Sequence, residues 1–118
     1  NFIQNISHGN KNKFKLALAD TTEVKYVQLD EIIRLQAESN YTHIFLTGNK
    51  VFVSAKTLKE YDEILQGHKF LRVHKSHLVN PAHIDAYDRQ GILMMSDGSR
   101  VEVARRKKEF LQQSLSGK

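Results

Sequence analysis

A mainly β domain with two short α-helices is the fold class this 118-residue sequence predicts. Three observations carry that expectation. Apolar residues recur mostly at every second position, the repeat of a half-buried strand. Gly-, Asn- and Asp-containing turns interrupt the chain often, as in folds built of short strands. Only two segments show the spacing of a helix face.

Residues 1–12 are polar and read as a linker or frayed end, which leaves 13–118 as the folded domain. Phe14, Leu16 and Leu18 alternate with polar neighbours and predict a first strand. Val24, Tyr26 and Gln28 alternate in the same way after the turn Ala19-Asp20-Thr21-Thr22. A short Leu29-Asp30-Glu31 turn leads to a third strand at Ile32, Ile33 and Leu35. Thr47-Gly48-Asn49 joins His43–Leu46 to Lys50–Val53 as a hairpin, and Ser96-Asp97-Gly98-Ser99 joins Ile92–Met95 to Arg100–Val103. Phe70–His74 and Ile84–Tyr87 are further strands. Thr57-Leu58-Lys59-Glu60 matches a capping box. Leu58, Tyr61, Ile64 and Leu65 then share one helix face, with Gly67 as the stop. Residues 105–115 form the second helix, with Phe110, Leu111 and Leu115 as its apolar stripe. A very short helical turn is expected at Ser76–Val79, closed by Asn80-Pro81.

The charge is one-sided. Residues 1–65 carry eight basic and eight acidic side chains, whereas residues 66–118 carry ten basic and five acidic ones. The whole net charge of +5 therefore lies in the second half, with four of the six histidines. A basic surface favours a polyanionic partner, nucleic acid before membrane. No stretch approaches the roughly 18 apolar residues of a membrane span, and no signal peptide is visible. Asn1 rather than Met opens the sequence, as in a piece of a longer chain, and the cytoplasm is the default compartment. Without cysteine there is no disulfide and no thiolate metal site.

Three groups stand out. Arg105-Arg106-Lys107-Lys108 opens the last helix, where free N–H groups and the macrodipole disfavour cations by roughly 0.3–1 kcal/mol each. A local rule broken in this way marks a functional site, and a phosphate backbone would turn the penalty into attraction. In Arg72-Val73-His74-Lys75-Ser76-His77, Val73 points inward and places Arg72 and His74 on the other face. Lys75, Ser76 and His77 follow in the turn, where Lys75 and Ser76 suit phosphate or base-edge contacts, and His74 reads as a hydrogen-bonded structural histidine. Ser39-Asn40-Tyr41-Thr42-His43 is a polar loop whose Asn and Thr have the groups that read adenine and thymine edges.

Catalytic patterns are missing. There is no Gly-rich phosphate cradle, no G-x-S-x-G and no H-E-x-x-H, so the chain is read as a non-enzyme with no cofactor. His74, His77 and His83 match no strong zinc spacing, so no metal site is expected.

With these groups placed, the sequence is similar to the LytTR family of DNA-binding domains, the output half of many bacterial LytR/AlgR-type two-component response regulators. The similarity runs from about Lys13 to Leu115. It rests on residues 30–42 (DEIIRLQAESNYT), on residues 70–80 (FLRVHKSHLVN) and on residues 103–108 (VARRKK). The middle stretch resembles the family pattern F-x-R-x-H-[KR]-S followed by VN. The resemblance implies an elongated β-β-β arrangement of small, mostly antiparallel sheets whose loops enter DNA grooves. Carried over by position, Thr42, His43, Lys75 and Arg105 face bases, while Asn40, Ser76, Arg106, Lys107 and Lys108 face phosphates; Tyr41 and His77 belong to the same loops. It also implies imperfect direct repeats in the DNA, two domains bound as a dimer, and a phosphorylated receiver domain ahead of the linker, in a phosphorelay that controls transcription. Two positions depart from the pattern: Gln36, where the family often has Glu, and Ala104, where it often has Ser and thus an N-cap.

Two other functions compete with duplex DNA binding. An RNA- or single-strand-binding module needs exposed aromatic platforms, for which Tyr41 and Tyr87 are the candidates. A protein-interaction domain would carry its basic face incidentally.

Overall fold

The computed structural model describes residues 14–109 and residue 111. Among the described residues ten strands form three antiparallel sheets, accompanied by an α-helix. The strands are β1 (Lys15–Ala19), β2 (Val24–Gln28), β3 (Ile32–Glu38), β4 (Tyr41–Leu46), β5 (Lys50–Ser54), β6 (Leu71–His74), β7 (His77–Val79), β8 (Ile84–Asp88), β9 (Ile92–Met95) and β10 (Arg100–Glu102); the helix is α1 (Leu58–Ile64). The central sheet has the order β5-β4-β3-β7-β6, flanked by the pair β1-β2 and the triplet β10-β9-β8. This bears out the mainly β expectation and its small antiparallel sheets. The molecule measures 46 × 36 × 25 Å along its principal axes.

Alternation along β3 divides the core in two. Ile32 and Leu35 join Leu16, Leu18, Val27, Ile44, Leu58, Tyr61, Leu65 and Leu78 on one side of the central sheet. Ile33 joins Val73, Val79, Leu93, Met95, Val101, Val103 and Leu111 on the other. Alternation alone sends these adjacent isoleucines to opposite cores, and a register shift between Ile32 and Arg34 returns Leu35 to the side of Ile32. Helix α1 closes the first core, and its Tyr61 hydroxyl donates to Ser54 Oγ at 2.6 Å. The predicted capping box forms, with Glu60 N–H donating to Thr57 Oγ1 at 3.2 Å and Thr57 N–H to the Glu60 carboxylate at 3.1 Å.

Five local expectations need correcting. The inward residue of β2 is Val27; Val24 and Tyr26 are exposed, because the register sets Val27 opposite Leu16 and Tyr26 opposite Ala17. Ile64 is 39% exposed, since Leu58, Tyr61 and Leu65 already fill the side of α1 that meets the sheet. Ser76–Val79 is not helical: residues 77–79 form β7, inserted between β3 and β6. Tyr41 and Thr42 are not loop residues but extend the strand expected from His43 to begin β4, because a two-residue turn at Ser39 and Asn40 suffices. The second helix begins three residues later than expected, with a 3-10 turn at Arg105–Lys107 before helical Lys108, Glu109 and Leu111. Phe110 and residues 112–118, like the linker expected at 1–12, lie outside the described residues. Among the described residues no helix is long and apolar enough to cross a membrane.

Candidate nucleic-acid interface

Sheet register decides which turns meet. Gln36 of β3 pairs with His43 of β4 on one side and with His77 of β7 on the other. The Ser39-Asn40 turn and the Lys75-Ser76 turn therefore sit at the same end of the central sheet. Ala37 N–H donates to the Ser76 carbonyl at 2.9 Å and ties the second turn to β3. Ala104 N–H donates to the Val73 carbonyl at 2.7 Å, so the basic run starts beside the end of β6. Three segments far apart in sequence thus converge.

The Lys75 turn is closely braced. Arg72 donates to the His74 carbonyl at 3.0 Å and to the Lys75 carbonyl at 2.7 Å, and pairs with Asp62 of α1 at 3.0 Å. Ser76 N–H donates to His74 Nδ1 at 3.1 Å, the structural role expected of that histidine. Lys75 is exposed and Ser76 half-buried. His77 lies deeper: burial first, then His74 and Arg34 nearby, push its pKa down to about 4. It is therefore neutral near pH 7, so whatever it offers at this end is a hydrogen bond and not a charge.

The first turn contributes differently from expectation. Thr42 is fully buried, and its hydroxyl donates to the Lys56 carbonyl at 2.7 Å. It cannot reach a base, because β4 turns it toward the first core and not along the turn. Its effect is instead to fix residue 56. Lys56 N–H donates to Ser54 Oγ at 3.1 Å, so both backbone groups of this exposed lysine are held. Sequence patterning gave no signal for Lys56, because its link to Thr42 spans fourteen residues. Asn40 and Tyr41 are exposed, and His43 is half-buried with its ring edge-on to Phe45 at 6.4 Å. Glu38, exposed at this same end, adds a negative charge beside these groups.

In the third segment Arg105 and Arg106 are exposed, while Lys107 and Lys108 are half-buried. A Cβ placed on Gly91 would lie 2.6 Å from Lys108 Cε. The Lys108 stem therefore lies against the Asp88–Gly91 turn, whereas Arg105 and Arg106 are exposed. Ala104 takes the extended N-cap conformation but makes no side-chain cap bond.

Beneath these turns, Arg34 is buried over the Phe45 ring at 3.9 Å. It donates to Gln36 Oε1 at 2.7 Å and to Ser99 Oγ at 3.1 Å, which joins the β9–β10 hairpin to the central sheet. Gln36 thus acts as an acceptor for Arg34. Tyr87 packs against the second core with its hydroxyl buried, so it is not the stacking platform the sequence suggested. His83 lies apart from His74 and His77 in its bonding, with its ring nitrogens 2.7 Å from Ser96 Oγ and 2.7 Å from the Asp30 carbonyl. Among the described residues no three His, Cys, Asp or Glu side chains form a metal-holding group.

Comparison with known proteins places this geometry. The family model described as the LytTr DNA-binding domain matches residues 22–116. A CO-responsive transcriptional regulator, RcoM of Rhodospirillum rubrum, is 32% identical over 94 residues, covering 77% of this chain and 39% of the regulator. The heme-containing CO-sensing transcriptional regulator RcoM 2 of Paraburkholderia xenovorans is 28% identical over 93 residues, covering 76% of this chain and 34% of that protein. The chain thus spans little more than a third of either relative. A solved LytTr DNA-binding domain, from a methyl-accepting/DNA response regulator of Bacillus cereus, superposes with a TM-score of 0.75. At 24% identity, that match covers 88% of this chain and 98% of the solved one, and it establishes the shared fold.

Proposed function

Because this chain belongs to the LytTr DNA-binding domain family, we propose that it binds duplex DNA sequence-dependently, as the output domain of a bacterial transcription regulator. The convergence of the Ser39-Asn40, Lys75-Ser76 and Arg105-Arg106 segments at one sheet end carries this reading. Phosphate neutralisation supplies affinity that falls steeply with salt, and we assign Lys56, Arg106, Asn40 and Ser76 to it. Base edges supply discrimination. Arg105 has the fork that reads guanine O6 and N7, and Lys75 projects from a braced turn. Lys107 stays with the phosphate-facing group and His43 with the base-facing one.

Two such domains on imperfect direct repeats one helical turn apart, about 10 base pairs, would lie on the same DNA face. A receiver domain ahead of the chain would promote that pairing when phosphorylated, in the cytoplasm. The RcoM relatives are named for another input, carbon monoxide. Adding acetyl phosphate or carbon monoxide to the parent protein, and measuring DNA affinity, separates the two inputs.

The function itself is tested by selecting duplexes from a random pool and then measuring fluorescence anisotropy on the selected and a scrambled duplex across salt. An enriched repeat bound at least tenfold more tightly than its scramble is expected. Equal affinity for both duplexes refutes sequence-dependent binding, and preference for the single strand in competition supports the RNA or single-strand alternative.

A further inference from the structure

We infer that Arg72 is a positioning residue that sets the sequence discrimination of the interface without touching DNA. The inference rests on the duplex-binding reading given above. Its basis is the bonding of residues 74–76. The guanidinium bridges the turn, with Nε on the His74 carbonyl at 3.0 Å and Nη2 on the Lys75 carbonyl at 2.7 Å. Its third nitrogen is held by Asp62 of α1 at 3.0 Å. The rest of the turn is bound from two other directions: Ser76 N–H on His74 Nδ1 at 3.1 Å, and the Ser76 carbonyl on Ala37 N–H at 2.9 Å. The Lys75 side chain, by contrast, is exposed.

This arrangement has a physical consequence. A lysine on a loose turn gives a phosphate-like, sequence-tolerant contact, because its ammonium is a point charge on a flexible stem. Fixing both flanking carbonyls narrows the space the Lys75 stem can sample before DNA arrives. A contact prepared in this way pays less ordering entropy on the correct sequence and fits the wrong one poorly. Arg72 is suited to the task because a planar fork satisfies two carbonyls and a carboxylate at once, which a lysine cannot do. Asp62 couples the turn to α1, on the sheet side away from the second core.

The test uses Arg72→Lys and Asp62→Asn in the full chain, with the selected and scrambled duplexes across salt. Amide hydrogen exchange of Ser76 in the DNA-free protein is the second readout. For Arg72→Lys the selected-to-scrambled affinity ratio falls about tenfold, the scrambled affinity and the salt slope stay unchanged, and Ser76 exchanges faster. Asp62→Asn does the same more weakly, about twofold, as expected for a partly exposed ion pair. Equal weakening on both duplexes overturns the inference, as does an unchanged ratio with unchanged exchange. A drop of about one in the salt slope for Arg72→Ala would make Arg72 a phosphate contact instead. Failure of the unmodified protein to discriminate is a separate result, which removes the duplex-binding reading itself.

Discussion

The turn at Lys75 and the turn at Arg105 lie side by side, yet they are held in different ways. Around Lys75, Arg72, His74 and Ala37 bond three consecutive backbone units. The basic run hangs from backbone bonds, Ala104 N–H to Val73 and Lys107 N–H to Ala104. No side chain caps its start. Both present cations, but the first is tied by side-chain bonds and the second is joined at its start by backbone bonds. The contrast explains how a chain can break the helix-dipole rule at residues 105–108 and still fold. The segment is anchored from behind by Leu111, fully buried in the second core, and by the Lys108 stem over Gly91.

Several changes would break or sharpen this contrast, and the largest effect should come from the loosely held side. Arg105→Ala should cost about 1–3 kcal/mol of discrimination at one base position, read by anisotropy on single-base variants of the selected duplex. Unchanged preference at every position would remove Arg105 from base reading.

Acid should attack the braced side instead. The folded pKa of His77, about 4, lies below its ordinary value of 6.5. The unfolded chain therefore takes up the proton first. The stability contributed by neutral His77 is full above pH 6.5 and is lost as pH falls toward about 4. The loss is on the order of 3 kcal/mol. Denaturant melts between pH 7 and 4 should show it, and His77→Gln should flatten that part of the profile.

Thr42→Val should destabilise by about 1–2 kcal/mol, because it removes the donor to the Lys56 carbonyl. It should also lower the salt slope on any duplex, as Lys56 loses its fixed place. If stability alone changes, Lys56 lies off the DNA path. Ala104→Ser should have the smallest effect and the opposite sign. It restores an N-cap in a residue already extended at φ −61 and ψ 146, and should raise stability by about 0.5–1 kcal/mol. A melting temperature that does not rise would mean that the turn has no free N–H for the new hydroxyl.

Much of this molecule follows from the sequence alone. Alternation placed nine of the ten strands, and the turns at Asp20, Gly48 and Asp97–Gly98 formed where their side chains predicted. The capping box at Thr57 closed as its four residues dictate. These features depend on neighbours within a few positions, whose preferences the chain carries with it. The family pattern at residues 70–80 likewise identified the DNA-binding fold. Strand β7 escaped, because three residues become a strand only when β3 and β6 are there to pair with them. Only the tertiary structure could turn Val27 inward, bury Thr42, lay Lys108 across Gly91 and bond Arg72 to both the Lys75 turn and α1. Each of those outcomes depends on what a distant segment brings alongside. A local pattern says which groups a residue offers; register and packing decide which of them still face the solvent.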